Sequence, residues 1–446
     1  MTEKVTKLAI SSRVILLTLQ LLTNLILSDH KPDVFRAPIL HNNNETRVTN
    51  WLDKTVQTCL GGLRHWDGEY FLHIAEHGYT YENTLAFYPL YPVTINILAS
   101  SCDYLPLHLS ARSWTLLVGV LINIYCFCKA ANVLYALTQR IFNDSNKSWN
   151  AALLFCFNPA SMFFTATYSE SLFCWLTLEV MLGYATRTRF GLATIILGLS
   201  IVTRSNGFIN MGFLVYFMLR DCIVYSKSYV WTVVKIFIHG ITALIPLTFF
   251  FCYAYQQFCT SHKISRYPQE IVDYAHERNY VLAGTRLPNE SPWCDQSIPY
   301  PYSYVQSHYW KVGFLRYYEI KQLPNFMLAL PILSFLCYHC YVYLKHLCKI
   351  LLPKYSLLYI VKEYKSLPFV LEALFLSCFC LFFVHIQVST RLLCSSTPCI
   401  YWFAADYMPK TFDQIRFRSK IGLIVQWFGI YYVLGAILFS NNFPWT

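Results

Sequence analysis

Apolar runs that approach or exceed the roughly 18–20 residues needed to cross a bilayer recur along the whole chain. They lie at about 8–28, 114–137, 150–167, 171–185, 191–219, 230–255, 326–348, 368–388 and 421–440. Each is continuous, whereas a membrane barrel would show alternating segments of about ten residues. In lipid, peptide groups have no water to bond, so such runs satisfy themselves as helices. An all-α polytopic membrane protein follows. The composition agrees, with 55% hydrophobic residues and 13% charged, against about 25% charged in an average soluble protein.

The net charge of +11 does not point to nucleic acid, because the basic residues fall in short connections between apolar runs rather than on one soluble face. Positive-inside topology accounts for them. Lys4, Lys7 and Arg13 precede the first span and place the N-terminus in the cytosol, and Lys345, Lys349, Lys354, Lys362 and Lys365 mark a later cytosolic connection. No small-residue cleavage site follows the first span, which reads as an uncleaved anchor. Near the C-terminus the basic stretch "KTFDQIRFRSK" conflicts with the span count, and a half-span at 398–408 would resolve it.

Most of the 17 cysteines lie within spans, where a thiol acts as a small apolar group. Cys337 and Cys340 have CxxC spacing but no second pair nearby. Cys259, Cys294, Cys394 and Cys399 fall in expected loops, where disulfides can form on an oxidising side; spacing does not pair them.

Two polar interruptions, 29–112 and 256–323, are expected to face the lumenal side. Their aromatic content argues for folded structure rather than disorder. Sequons at Asn44 and Asn289 fall within them, while those at Asn143 and Asn146 fall on the cytosolic side.

The densest polar motif is "RHWDGEYFLHIAEHGY", residues 64–79. It reads as a helix begun by Asp67, with Phe71, Ile74, Ala75 and Gly78 on an apolar face and Glu69, His73, Glu76 and His77 on another. Asp67 has two readings, a helix N-cap or a reactive carboxylate at the mouth of the membrane. His73 and His77 resemble a metal-binding edge, but an exposed helix face produces such pairs freely and no HExxH pattern is present. The following "AFYPLYP" breaks helices and reads as a re-entrant or surface element.

Polar residues recur at the ends of later spans: Asn158 and Glu170, Arg204 and Asn206, then His385, Gln387 and Arg391. Ionisable groups at membrane depth are costly and functional by default, although each is also readable as an interhelical contact. A carboxylate base, several cations including Lys321, and an aromatic rim suit sugar transfer from a lipid-linked phosphate to a hydroxyl. No P-loop or GxGxxG segment offers a nucleotide site.

The blocks "HWDGEYFLHIAEHGY", "AFYPLYP", "NPASMFFTATYSESLF", "TRSNG", "PYSYVQSHYWKVGFLRYYEIKQLPNFMLALP" and "HIQVSTRLLCSSTPCIYWF" resemble, in this order, the PIG-V mannosyltransferases of glycosylphosphatidylinositol (GPI)-anchor assembly. The resemblance implies an endoplasmic-reticulum enzyme of GT-C architecture with a lumenal active site and amphipathic helices in its lumenal loops. It implies dolichyl phosphate mannose as donor, no metal or other cofactor, and as acceptor a glucosaminyl-phosphatidylinositol carrying one mannose, extended through an α-1,6 bond with inversion. The family's tryptophan and aspartate become Trp66 and Asp67, with Glu69 in place of the second acid of a DxD-like pair. Asp67 and Glu69 are the expected catalytic pair. Trp66, Arg64, His77, Glu170, Arg204, Asn206, Gln306, Lys321, His385, Gln387 and Arg391 form the expected substrate-binding set.

Rival readings are a dolichyl-phosphate-mannose transferase with another acceptor, a lipid or solute transporter, and a scaffold of the anchor pathway. A transporter keeps its polar site near the midplane, which two large aromatic loops and an acidic motif after the first span disfavour. Either enzyme reading is compatible with an accessory membrane subunit.

Overall fold

The computed structural model describes residues 1–38, 50–102, 104–107, 109–187, 190–260, 267–285, 291–351, 357–409 and 419–445. Asn44, Asn289 and Lys354 lie outside these residues, as does most of the basic stretch 410–420. Among the described residues no strand forms; Tyr81 and Leu282 make an isolated antiparallel bridge. The α-helices are, in order, α1 (Thr2–Ile26), α2 (Trp51–Leu60), α3 (Asp67–His77), α4 (Leu90–Cys102), α5 (Ala111–Phe142), α6 (Ser145–Cys156), α7 (Glu170–Thr186), α8 (Phe190–Ile201) and α9 (Met211–Val224). They continue with α10 (Tyr229–Phe258), α11 (Gln269–Arg278), α12 (Pro301–Tyr309), α13 (Leu323–His346), α14 (Leu357–Glu363), α15 (Leu367–Phe382), α16 (Ser389–Ser396), α17 (Cys399–Ala405) and α18 (Lys420–Ser440).

Six described stretches are long and apolar enough to cross a membrane: α1, α5, α10, α18, Ser205–Val224 and Ile320–Lys349. The helices α4, α8 and α15 are apolar but shorter. Local signals set several boundaries. The side chain of Ser110 accepts from the backbone N–H of Ser113 to open α5. Asn143 closes the helix in the left-handed region at φ 54°, and Asp144 then caps α6 through the N–H groups of Asn146 and Lys147. The half-span expected at 398–408 is α17, seven residues long. Cys394 and Cys399, expected in loops, are instead buried free thiols, because α16 and α17 pack inside the bundle.

The continuous runs 150–167 and 191–219 are each broken, for identifiable reasons. After α6, Asn158 folds the chain on itself, donating to the carbonyl of Phe155 and accepting from the N–H of Ala160, both at 2.8 Å. Pro159 adds no donor, and a 3-10 turn covers Ser161–Phe164. The carbonyls this exposes at Cys156 and Ser161 accept from Arg13 at 3.0 and 2.9 Å. Irregular backbone at membrane depth survives only where protein satisfies it. Arg13 is thus not a flanking topology charge as the sequence suggests. It is fully buried in α1, bonded also to the Ser161 and Thr165 hydroxyls and stacked 3.8 Å over the Phe127 ring. The second break ends α8 and starts a 3-10 turn at Ser205, where Gly207 packs so closely on the Ser200 carbonyl that any Cβ would collide with it.

Segments 29–112 and 256–323 fold onto each other. The fully buried Glu82 accepts from the Ser291 hydroxyl, from Trp293 Nε1 at 2.8 Å and from the Tyr309 hydroxyl at 2.8 Å. A disulfide joins Cys259 to Cys294. Phe35 stacks on Tyr70 and meets Tyr274 edge-on, extending an aromatic layer across the seam. This closure overturns the expected amphipathicity of α3. His73, placed on a polar face by periodicity, is fully buried, with Nε2 2.6 Å from the Thr80 hydroxyl and its ring stacked on Tyr81.

Candidate active site

The peptide before α3 carries the strain of the site. Trp66 sits at φ 57°, a conformation that side chains other than glycine rarely adopt. It turns the chain so that Asp67 opens the helix beside the segment before α7. The Asp67 N–H donates to the Tyr168 hydroxyl at 3.0 Å, and that hydroxyl donates on to the His65 carbonyl at 3.2 Å. Thr167 N–H bonds the Leu63 carbonyl at 3.0 Å. Gly68 permits this approach, since a Cβ there would lie 2.7 Å from the Thr167 hydroxyl. The carboxylate of Asp67 makes no cap bond, so the N-cap reading falls away.

That carboxylate meets Arg391, whose Nη2 lies 2.7 Å from Asp67 Oδ2. Arg391 sits on α16, and its Nη1 lies 3.8 Å from Oε1 of Glu170, the first residue of α7. Arg204 reaches the same Glu170 oxygen from the other side. Burial works against the charge on Arg391, but Asp67 and Glu170 outweigh it and its pKa is raised. Glu170 is wholly enclosed, while the Asp67 side chain remains 29% exposed. Two carboxylates and two guanidiniums therefore alternate from a solvent-facing acid to a buried one. Asn206, two residues past Arg204, donates to the Ser396 hydroxyl at 2.8 Å and ties that turn to the end of α16.

Asp67, Glu170, Arg204, Asn206 and Arg391 are thus brought together, as the sequence leads one to expect. Tyr168 belongs with them and was hidden in "TATYSES", where nothing marks it among neighbouring aromatics. Trp66 adjoins the cluster, and its buried indole N–H has no partner among the described residues.

Glu69 stands apart. Two residues along a helix is a turn of about 200°, so its carboxylate faces another way, held by Arg64 at 2.6 and 3.1 Å and by Arg112 at 3.6 Å. Arg64 is occupied by that pair. Lys321 is exposed and paired with Glu319, and Gln306 lies on α12. His385 stacks on Tyr317 at 4.6 Å, and Gln387 accepts from the Tyr317 hydroxyl at 2.9 Å, forming a second polar patch at the start of α13. His77 lies beside Glu76, its Nε2 3.7 Å from the carboxylate, and burial lowers its pKa. Among the described residues no group of three His, Cys, Asp or Glu side chains is arranged to hold a metal.

Glu76 borders a cavity of about 550 Å3 between α3, α4 and α10, otherwise lined chiefly by apolar groups such as Val93, Val202, Pro246 and Phe249. Burial pushes its carboxyl up to about 7, opposed by a hydrogen bond from Thr115 at 2.8 Å and by Arg64.

Membrane-length helices, with a charged cluster and an apolar cavity packed among them, mark a multi-pass membrane protein. Comparison with known proteins gives the family. The family model described as Mannosyltransferase (PIG-V) matches residues 2–446, and the chain belongs to that family. It is 49% identical over 459 residues to "GPI mannosyltransferase 2" of Drosophila melanogaster, with all of both chains covered. It is 33% identical over 495 residues to "GPI alpha-1,6-mannosyltransferase 2" of Homo sapiens, covering 100% of this chain and 98% of that one. Among solved structures it overlaps the oligosaccharyltransferase of Archaeoglobus fulgidus over 98% of this chain and 55% of that one, at 10% identity and a TM-score of 0.46, too loose to carry chemistry across. The protein is a membrane-embedded glycosyltransferase that moves mannose.

Proposed function

We propose that this enzyme adds the second mannose of the GPI anchor, through an α-1,6 bond, to a glucosaminyl-phosphatidylinositol that already carries one. The donor is dolichyl phosphate mannose, and the chamber opens to the lumen of the endoplasmic reticulum. The names of the full-length relatives support the acceptor and linkage. The observation that carries the chemistry is the alternating chain Asp67, Arg391, Glu170, Arg204.

In the reaction the acceptor hydroxyl attacks the anomeric carbon as the bond from that carbon to the phosphate oxygen breaks. Asp67, the exposed end of the chain, takes the hydroxyl proton. Dolichyl phosphate leaves with the bonding electrons. As Asp67 becomes neutral, Arg391 loses its closest counter-charge at the moment the phosphate gains charge. Its forked guanidinium, anchored by Glu170, then meets the leaving group. Arg204 shares the task from the far side of Glu170. With two guanidiniums in place to meet the phosphate's charge, the proposed mechanism needs no divalent cation. One displacement inverts the anomeric centre, and no enzyme-bound sugar forms. Glu69, Arg64 and Arg112 hold the first turn of α3 rather than touching substrate. The apolar cavity beside α4 and α10 suits a lipid tail that stays at bilayer depth.

The test is a lipid profile of cells lacking this activity, complemented with wild type or with Asp67→Asn. Wild type clears the one-mannose glycolipid, and the variant leaves it accumulated with surface anchored proteins still missing. Clearance by the variant would remove Asp67 as the base. A profile that never shows the one-mannose lipid would remove the acceptor assignment.

A further inference from the structure

At the far end of the bundle from Asp67 lies a second cavity of about 230 Å3, and it is lined by cations. Arg140, Arg187, Arg220 and Lys365 surround it, with Tyr225 completing the wall. They come from four separate elements: the last turn of α5, the end of α7, the C-terminal half of α9 and the connection into α15. Glu170 opens α7 and Arg187 caps its other end, 17 residues on. At about 1.5 Å per residue that is roughly 25 Å, close to the hydrocarbon thickness of a bilayer. The Glu170 cluster and this cavity therefore lie at opposite ends of α7.

The cations are only partly accounted for by the protein. Arg187 is paired with Asp221 at 3.0 Å, bonds the Tyr225 hydroxyl and lies 4.9 Å over that ring. Arg220 is buried and donates to the carbonyls of Val361 and Lys362, at 3.1 and 2.9 Å. These two fix the back of the cavity. Arg140 and Lys365 are exposed at its rim, and among the described residues neither has a carboxylate within ion-pair distance. Among the described residues four positive side chains line the cavity and no carboxylate does; Asp221, paired with Arg187 behind the wall, offsets one of them. Helix C-termini favour cations in general, but that tendency alone does not converge four of them on one enclosed space. A concave basic site between helix ends at the membrane surface matches the phosphate of an anionic lipid headgroup.

We propose that this cavity binds the phosphate-bearing headgroup of an anionic phospholipid in the leaflet opposite the catalytic chamber. The guanidiniums of Arg187 and Arg220 form the floor, and Arg140 with Lys365 closes over the phosphate from the rim. The volume accepts a phosphate with a small polyol ring and is too small for a larger glycan headgroup. Such a lipid would brace the ends of α5, α7 and α9 together, and α7 and the turn before α9 carry Glu170 and Arg204.

The test uses the full chain in nanodiscs of neutral phosphatidylcholine doped with phosphatidylinositol 4-phosphate, reading retained lipid by native mass spectrometry. Wild type is expected to keep the doped lipid. The rim variant Arg140→Gln with Lys365→Gln, which alters exposed side chains only, is expected to keep it about thirtyfold less well, roughly the contribution of two basic residues near a charged surface. Mannosyl transfer by the rim variant should persist, which separates a failure here from a failure at Asp67. Equal retention by wild type and variant would overturn the proposal. Binding of inorganic phosphate as tight as that of the lipid would assign the cavity to a soluble anion and overturn the lipid source.

Discussion

The Asp67 carboxylate and the Arg391 guanidinium meet at 2.7 Å although 324 positions separate them, joining the start of α3 to the short helix α16. In the proposed mechanism the pair couples a proton acceptor to a phosphate binder. Replacing Asp67 by Asn keeps the shape of the pair and removes the acceptor. Transfer in microsomes is expected to fall by about 10²- to 10⁴-fold, the usual contribution of a positioned base. Protein level and membrane insertion should stay unchanged. Near-normal turnover would mean the hydroxyl proton goes elsewhere.

Arg391→Lys tests the other half. A lysine keeps the charge but cannot bridge Asp67 and Glu170 with a planar fork. Loss of turnover by about 10²-fold or more is expected, in line with removal of a preorganised donor from a developing oxyanion. The donor KM should move less than kcat. If KM alone changed, Arg391 would serve ground-state binding only.

Glu170→Gln addresses the buried centre. It leaves Arg204 and Arg391 facing each other without the enclosed carboxylate that holds both. Breaking such a pair costs about 3–5 kcal/mol. A lower unfolding temperature in detergent together with lost activity is expected. A variant as stable as wild type would show that the two arginines find other partners.

Arg13→Met asks whether the broken segment 156–168 depends on one side chain. The Cys156 and Ser161 carbonyls and the Ser161 and Thr165 hydroxyls would all lose a donor. Each unsatisfied buried group costs about 1–3 kcal/mol. Arg13→Lys should recover part of the stability, since an ammonium reaches some of the same acceptors. Equal stability of all three proteins, measured by thermal unfolding, would contradict the assigned role.

Glu76 gives a pH dependence with a definite sign. Its carboxyl stands at about 7 in the folded chain against 4.5 in the open one. Folding therefore favours the protonated form, and stability from this group is lost as pH rises from about 4.5 through about 7. The full effect is roughly 3 kcal/mol. Glu76→Gln should melt higher than wild type at pH 8 and nearly level with it at pH 5. A difference that grows toward low pH would reverse the assignment.

Much of the architecture was legible because lipid leaves few choices. The runs that became α1, α5, α10 and α18 announce themselves by length and lack of charge. Asp67, Glu170, Arg204 and Arg391 stood out because charge at bilayer depth is expensive. What the sequence concealed were contacts between distant segments. Arg13 looks like a topology marker until the carbonyls of residues 156 and 161 are seen around it. Glu69 follows Asp67 by two residues and seems its partner, yet helical rotation gives it to Arg64 and Arg112. His73 occupies a polar stripe by count, but Phe35, Thr80 and Tyr81 from elsewhere in the loop close over it. Periodicity describes one helix; it carries no information about what lands on top.

Glu82 has one further consequence. Because Ser291, Trp293 and Tyr309 all point their donors at its single carboxylate, parting the stretches 29–112 and 256–323 at this point would strand a buried charge.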